Sequence, residues 1–302
     1  MSDIIMHVNY GETGFGRFGK NSIEDIFKIA VDIGYDGIEF RSSIPQELSH
    51  LSYESYIDEI GRCKGKYGLK TIILSARYGD LLSKSNEECD KAIAENIKQV
   101  RYANKICGTT IFNAAAKVIK SSIATAPSGS YEFHGSVAAS EKDWEDTVKV
   151  FKTVAKELEN LGIRFAFETH MNTIHDTPQA TKKLVDMIGS QAIGVNMDYG
   201  NTVYFPNCLG LEETIDLYGD KLFYTHFKNS MAVGKERVPT ALSEGEINHR
   251  IYLEKLQATG FNGPIGIEAP RPGDRKYYAK MDYEYIKTVI KDLGWIYENN
   301  NL

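Results

Sequence analysis

An unbroken alternation of eight strand-like runs with eight helix-like segments predicts an α/β chain that closes into a (β/α)8 barrel, the TIM barrel architecture, as a single domain over residues 1–302. Three observations carry this expectation. The strand-like runs are apolar on both faces, as parallel strands covered by helices are. The segments between them repeat their apolar residues with helical spacing. Glycine recurs just before several strands, where its left-handed conformation closes a helix.

The strand runs are 4–10 (IIMHVNY), 36–40 (DGIEF), 70–77 (KTIILSAR), 109–116 (TTIFNAAA), 163–170 (IRFAFETH), 193–201 (IGVNMDYGN), 222–229 (LFYTHFKN) and 263–269 (GPIGIEA). A first helix is expected over 22–33, where Ile23, Ile26, Phe27, Ala30 and Ile33 share one face and Ser22 can cap the start. Further helices are expected over 53–66, 86–106, 141–161, 177–188, 211–218, 248–259 and 280–297. Gly34, Gly68, Gly108, Gly162 and Gly260 supply the closing positions. The glycines of GETGFGRFG do not span a strand-to-helix turn, as the phosphate loop of an open doubly wound sheet does, and the stretch is read as a mobile first loop. Two long loops, 117–140 and 230–247, follow strands four and seven, on the side where such a barrel keeps its active site.

A hydrophobic content of 42% with 25% charged residues is that of a globular chain with a large core. The net charge of −6 and the lack of a Lys/Arg cluster exclude a phosphate-tracking surface, so no nucleic acid partner is expected. Cys63, Cys89, Cys107 and Cys208 have neither C-x-x-C spacing nor framework density and read as reduced thiols in the cytoplasm. The opening MSDIIMHVNYG is wrong for a signal peptide, and no apolar run is long enough to span a membrane.

Polar residues gather at the ends of the strand runs: Glu39 and Arg41, Glu168 and His170, Asp198 and Asn201, His226 and Lys228, and Glu268. Alternation along a strand points Glu168 and His170 the same way, and likewise Glu39 and Arg41. Glu168, Asp198 and Glu268 converging on a shared mouth with His226 would repel one another unless a cation neutralised them. Three oxygen donors and one nitrogen suit Mn2+, Mg2+ or Co2+ better than tetrahedral Zn2+, with Mn2+ the first choice. Glu39 and Arg41 read equally as a structural ion pair or as substrate contacts. Lys228 is open between a salt bridge and a substrate contact.

The ordered set IGYDGIEF (33–40), FETH, VNMDYGN, THFKN, LSEGEIN and TGFNGPIGIEAP (259–270) resembles the xylose isomerase-like barrel superfamily. That group contains sugar isomerases and ketose 3-epimerases together with inosose and dehydroshikimate dehydratases. The resemblance implies that Glu168, Asp198, His226 and Glu268 hold a divalent metal and that Glu168 and Glu268 form an acid/base pair. It implies isomerisation or epimerisation of a ketose or related polyol through an enediolate. Two positions depart from the epimerase pattern: Asn201 stands where a second His is usual, and Ala232 where an Arg is usual. His170 is placed to supply part of the missing polar contact, and His134, in SYEFHGS, reads as a surface residue or as a base folded over the mouth. An added base would turn the same barrel to elimination, as in a dehydratase or in the large subunit of a C-glycoside deglycosidase, which would need a small second subunit. A homo-oligomer is the other expected assembly. Seven His and the acidic balance argue against an AP endonuclease-like enzyme, and a catalytically dead sugar-binding barrel is the remaining alternative.

Overall fold

The computed structural model describes residues 2–77, 86–123, 126, 130–205, 207–234 and 236–295. Residues 124–125 and 127–129 of the expected strand-four loop, Lys235 of the strand-seven loop and 296–297 of the expected last helix lie outside these. Eight parallel strands close a barrel: β1 (Ile4–His7), β2 (Gly37–Phe40), β3 (Thr71–Arg77), β4 (Ile111–Ala115), β5 (Arg164–Glu168), β6 (Ile193–Asp198), β7 (Leu222–Phe227) and β10 (Ile265–Ile267). They follow one another around the barrel in chain order, and β10 pairs back onto β1. The (β/α)8 architecture expected from the sequence is therefore the observed one.

Eight helices among the described residues cover the barrel: α1 (Ile23–Ile33), α2 (Tyr53–Tyr67), α3 (Asn86–Cys107), α4 (Glu141–Leu161), α5 (Pro178–Ile188), α6 (Leu211–Tyr218), α7 (His249–Ala258) and α8 (Arg275–Asp292). Ser22 caps α1 by accepting from Asp25 N, while the Asp25 carboxylate accepts from Ser22 N, which satisfies two otherwise orphaned amides. Gly34 closes the same helix at φ 108°, a conformation that costs a residue with a Cβ. Two boundaries differ from expectation. Helix α8 starts at Arg275 rather than 280, because Asp274 caps it by accepting from Tyr277 N. The strand-seven loop is not irregular throughout: β8 (Ser230–Val233) and β9 (Glu236–Pro239) form an antiparallel hairpin in it.

The apolar core has two parts. The larger lies between strands and helices; the smaller, built from Ile5, Ile73, Ile111, Ala166, Phe223 and Tyr224, fills the barrel interior. Interior space is tight enough that a Cβ at Gly37 would collide with Thr71 O and lie 2.8 Å from Ile5 Cδ1.

His249, at the start of α7, is fully buried against Phe227 and Tyr252. Its Nδ1–H donates to Leu242 O at 3.0 Å, while Nε2 has no partner. Burial pushes its pKa down to about 4. The unfolded chain, with an imidazole near 6.5, binds the extra proton first as pH falls, so the stability this residue gives above 6.5 is lost toward 4, to about 3 kcal/mol. In urea unfolding, the stability gap between wild type and His249→Gln should accordingly narrow from pH 7 to pH 4.5; a constant gap would show that the buried ring does not titrate this way.

Candidate metal centre at the barrel mouth

Side chains alternate along a strand, so the residue two positions after an interior one is also interior and one step nearer the C-terminal mouth. In this chain that step changes from apolar or glycine to polar on nearly every strand. Ile5 is followed by His7, Gly37 by Glu39, Ile73 by Ser75, Ile111 by Asn113, Ala166 by Glu168, Tyr224 by His226 and Gly266 by Glu268. On β6, Asn196 precedes Asp198. The register aligns these polar ends, setting Asp198 beside His226, His7 beside Glu39, Ser75 beside Asn113 and Glu168 beside Asn196. Glu268, just past β10, is held to the same level by its amide, which donates to Phe227 O at 2.9 Å.

One donor atom each from Glu168, Asp198, His226 and Glu268 lies within 4.8 Å of all the others. That is close to the roughly 4 Å that separates opposite ligands of a six-coordinate ion with bonds near 2.1 Å. His226 is the centre of the cluster. Its Nδ1 lies 3.0 Å from Glu268 Oε2, 3.7 Å from Asp198 Oδ2 and 3.8 Å from Glu168 Oε1. Its Nε2 is 2.7 Å from Glu39 Oε2. A carboxylate on Nε2 fixes the ring and aims Nδ1 at the three acids, the arrangement in which a second carboxylate orients a ligating imidazole.

The donor set fits a cation. Asp198 Oδ2, His226 Nδ1 and Glu268 Oε2 are buried, and none makes a hydrogen bond of acceptable geometry, although Lys228 Nζ approaches two of them. Buried polar atoms without an aligned hydrogen bond are few in folded proteins, and three that face one another mark a place for positive charge, which Lys228 meets at two of them. The chain's own charges answer to the same need. Burial alone would raise the Glu168 carboxyl, but the nearby charge of His226, with Nδ1 3.8 Å from Oε1, outweighs it and holds it below the usual range. Burial would likewise raise Glu268, and Lys228, His7 and His226 overcome it. His226 is pushed well up, because the charge of Glu39 and the other acids exceeds the burial that disfavours the imidazolium.

The residues singled out in the sequence fall into four places. Glu168, Asp198, His226 and Glu268 come together, and Lys228 joins them with Nζ 2.6 Å from Asp198 Oδ2 and 3.0 Å from Glu268 Oε2. Asn201 is buried among them: its amide N donates to Asp198 Oδ1, its Nδ2 to Thr169 O and Glu168 Oε1, and its Oδ1 accepts from Lys228. Glu39 lies below the ligand set, 1% exposed, with its oxygens taken by Asn113, Tyr224 and His226. Arg41 and His170 line the mouth. The ion pair weighed between Glu39 and Arg41 is not formed, since the guanidinium binds Glu12 through Nε at 2.9 Å and Nη2 at 3.1 Å and lies 4.1 Å from the Phe15 ring. His134 stays within its own loop, where Nδ1 accepts from Ser121 N, and it does not line the mouth. The next residue shows why: a Cβ at Gly135 would collide with Asp176, which ties this turn to the strand-five loop.

Four residues of the site were not singled out from sequence. His7 accepts from Asn9 N through Nδ1, which turns Nε2 toward Glu268 and Glu39 at 3.7 and 4.0 Å. Asn113 bridges Glu39 and Glu168, donating to each at 2.9 Å. Asn196 donates to Asn113 Oδ1, and the Tyr224 hydroxyl donates to Glu39. The step from an apolar to a polar interior residue marks His7, Asn113 and Asn196 in the sequence. Tyr224 sits one step lower and carries no such mark.

Above the acids opens a cavity of about 360 Å3 whose polar floor includes His7, Glu168 and Glu268, with Phe15, Val118 and Met171 on its apolar wall. A larger groove of about 640 Å3 between α3 and α4 carries an Arg101–Glu157 ion pair but none of the four clustered ligands, so chemistry rather than size selects the mouth.

Comparisons with known proteins bear on the fold and the family. The structure of L-ribulose 3-epimerase superposes with a TM-score of 0.72 over all of both chains at 14% identity. A xylose isomerase-like TIM barrel protein from Mycobacterium smegmatis, in complex with magnesium, gives a TM-score of 0.71 at 18% identity, covering 97% of this chain and 98% of that one. At such identities these likenesses show the fold alone. In sequence, the inosose dehydratase of Geobacillus kaustophilus is 24% identical over 174 residues, 51% of this chain and 55% of that protein. The chain thus spans about half the length of the curated relatives it matches. The family model described as xylose isomerase-like TIM barrel matches residues 27–289, and by that measure the chain belongs to the xylose isomerase-like TIM barrel family.

Proposed function

We propose that the chain is a divalent-metal-dependent sugar isomerase or epimerase that acts on a ketose or related polyol through an enediolate. The observation that supports this reading is the cluster of three carboxylates and one oriented imidazole at the barrel mouth, with three of its buried donor atoms lacking hydrogen bonds. Glu168, Asp198, His226 and Glu268 would hold the ion, with Mn2+ the first choice and Mg2+ or Co2+ the alternatives. When bound, such an ion draws charge from neighbouring carbonyl and hydroxyl oxygens and acidifies the adjacent C–H.

The chain's own residues supply the rest. Glu168 and Glu268 both line the cavity and come from strands separated by β6 and β7, so they reach a substrate from different sides. One takes the proton from a carbon and the other returns a proton to the opposite face, which is epimerisation; return at the neighbouring carbon is isomerisation. Asn113 and Asn201 hold Glu168 in place, and Asn9 holds Glu268. Arg41 and His170 at the rim meet substrate oxygens, and Phe15 offers a ring face to a sugar. A small sugar or polyol is the partner, in a cytoplasmic protein without nucleic acid or membrane attachment, and association with a second copy belongs to the same reading.

A lyase is the second reading. The match to an inosose dehydratase favours it. If the lyase were a C-glycoside deglycosidase, a small second subunit would copurify.

Four outcomes are expected. Treatment with EDTA should abolish turnover and lower the thermal midpoint, and Mn2+ at about 100 times its Kd should restore about 2.7 kcal/mol of stability; a chelator-insensitive midpoint would count against a bound metal. Glu39→Gln should weaken Mn2+ binding roughly 10–100-fold, as loss of a carboxylate behind a ligating imidazole does, and unchanged affinity would remove Glu39 from that role. In D2O with a panel of ketoses and polyols, solvent deuterium should enter the substrate without net elimination, whereas loss of water or of an aglycone would select the lyase. Glu168→Gln and Glu268→Gln should each cut this exchange by roughly 100-fold or more while still binding metal. Full activity in either variant would sink the acid/base pair.

A further inference from the structure

Lys228 follows His226 by two residues, so its side chain leaves the chain on the same interior side, just past the end of β7. Its Nζ reaches Asp198 Oδ2 at 2.6 Å, Glu268 Oε2 at 3.0 Å and Asn201 Oδ1 at 3.3 Å. The first two are the same oxygens that face His226 Nδ1. Room for this reach is provided by Gly200, where a Cβ would collide with Lys228 Cγ and lie 2.9 Å from Cδ. The ammonium is thus led to these two atoms by the shape of the backbone. Burial opposes a charged lysine, and Asp198, Glu268 and Glu168 overcome it.

A divalent ion and this ammonium claim the same oxygens. An ion held at about 2.1 Å from Asp198 and Glu268 would lie within a few ångström of Nζ in its present place, and like charges that close in a buried site repel strongly. We infer that Lys228 is an internal counter-cation of the ligand set: it gathers Asp198 and Glu268 before an ion arrives, and a divalent ion displaces it from them toward the mouth. The inference rests on the metal reading above and adds a linkage to it. Metal affinity is lower than the four ligands alone would give, and the ammonium becomes available to substrate oxygens only once the ion is in place.

The test is Mn2+ titration of EDTA-treated protein by calorimetry. Lys228→Met should bind Mn2+ at least about tenfold more tightly than wild type, because the competing charge is gone. Equal or weaker binding in the variant, with wild type still binding, overturns the inference and leaves the metal reading standing. Failure of both proteins to bind Mn2+ overturns the metal reading and this inference together. Should Lys228→Met not fold, wild type alone decides: acetic anhydride labelling read by mass spectrometry should rise at Lys228 when Mn2+ is added, relative to Lys91, whose side chain is 75% exposed. Labelling of Lys228 that stays level or falls overturns the inference.

Discussion

The contact between Glu39 Oε2 and His226 Nε2, 2.7 Å long and sealed from solvent, is the interaction on which the mouth depends. It joins β2 to β7 across the barrel interior and settles which imidazole nitrogen looks upward. Glu39 can serve this way because Asn113 and Tyr224 donate to it and share its charge, so a buried carboxylate keeps partners on both oxygens. With the ring turned the other way, the nitrogen facing the three acids would not be the one left without a partner. A carboxylate that looks like a substrate contact in the sequence is in geometry the part that aims the imidazole.

The barrel turns this local bond into a site. Parallel register sets His7 beside Glu39, Glu168 beside Asn196 and Asp198 beside His226, and the smaller interior cluster beneath them is buried and close-packed. Charge is confined to the layer above it. The cost of burying four carboxylates together is met there by His226 and Lys228 from β7 and its end, and by the amides of Asn9, Asn113 and Asn201 from β4 and the ends of β1 and β6. The loops then add the rim, with Phe15 and Arg41 from the first two connections and Val118 and His170 from those after β4 and β5.

Much of this was legible in the sequence, for a reason that also explains what was not. Strand ends such as FETH and THFKN place acids and bases with a period of two on an otherwise apolar run, and a barrel makes all such ends neighbours. The four-residue cluster could therefore be named without coordinates. Asn113 and His7 carry the same alternation but are chemically bland or singly placed, so only the closed sheet shows that they touch Glu168, Glu39 and Glu268. His134 and the hairpin of β8 and β9 lie in long loops, where position is set by contacts distant in sequence, such as that of Gly135 with Asp176. Periodicity carries no information about those. The early start of α8 was readable from Asp274, an ordinary capping residue ahead of the helix.

Gly266 shows how closely the interior is fitted. A Cβ there would collide with the Tyr224 hydroxyl and come within 2.9 Å of His226 Cδ2. The tyrosine thus occupies the volume that strand β10 gives up, and uses it to reach Glu39. The two positions behave as one unit of fixed total size: a larger residue at 266 is tolerable only with a smaller one at 224, and that exchange would remove a donor from the carboxylate that steers His226. A change on one strand would in this way reach the orientation of an imidazole on another without touching any group that meets the substrate.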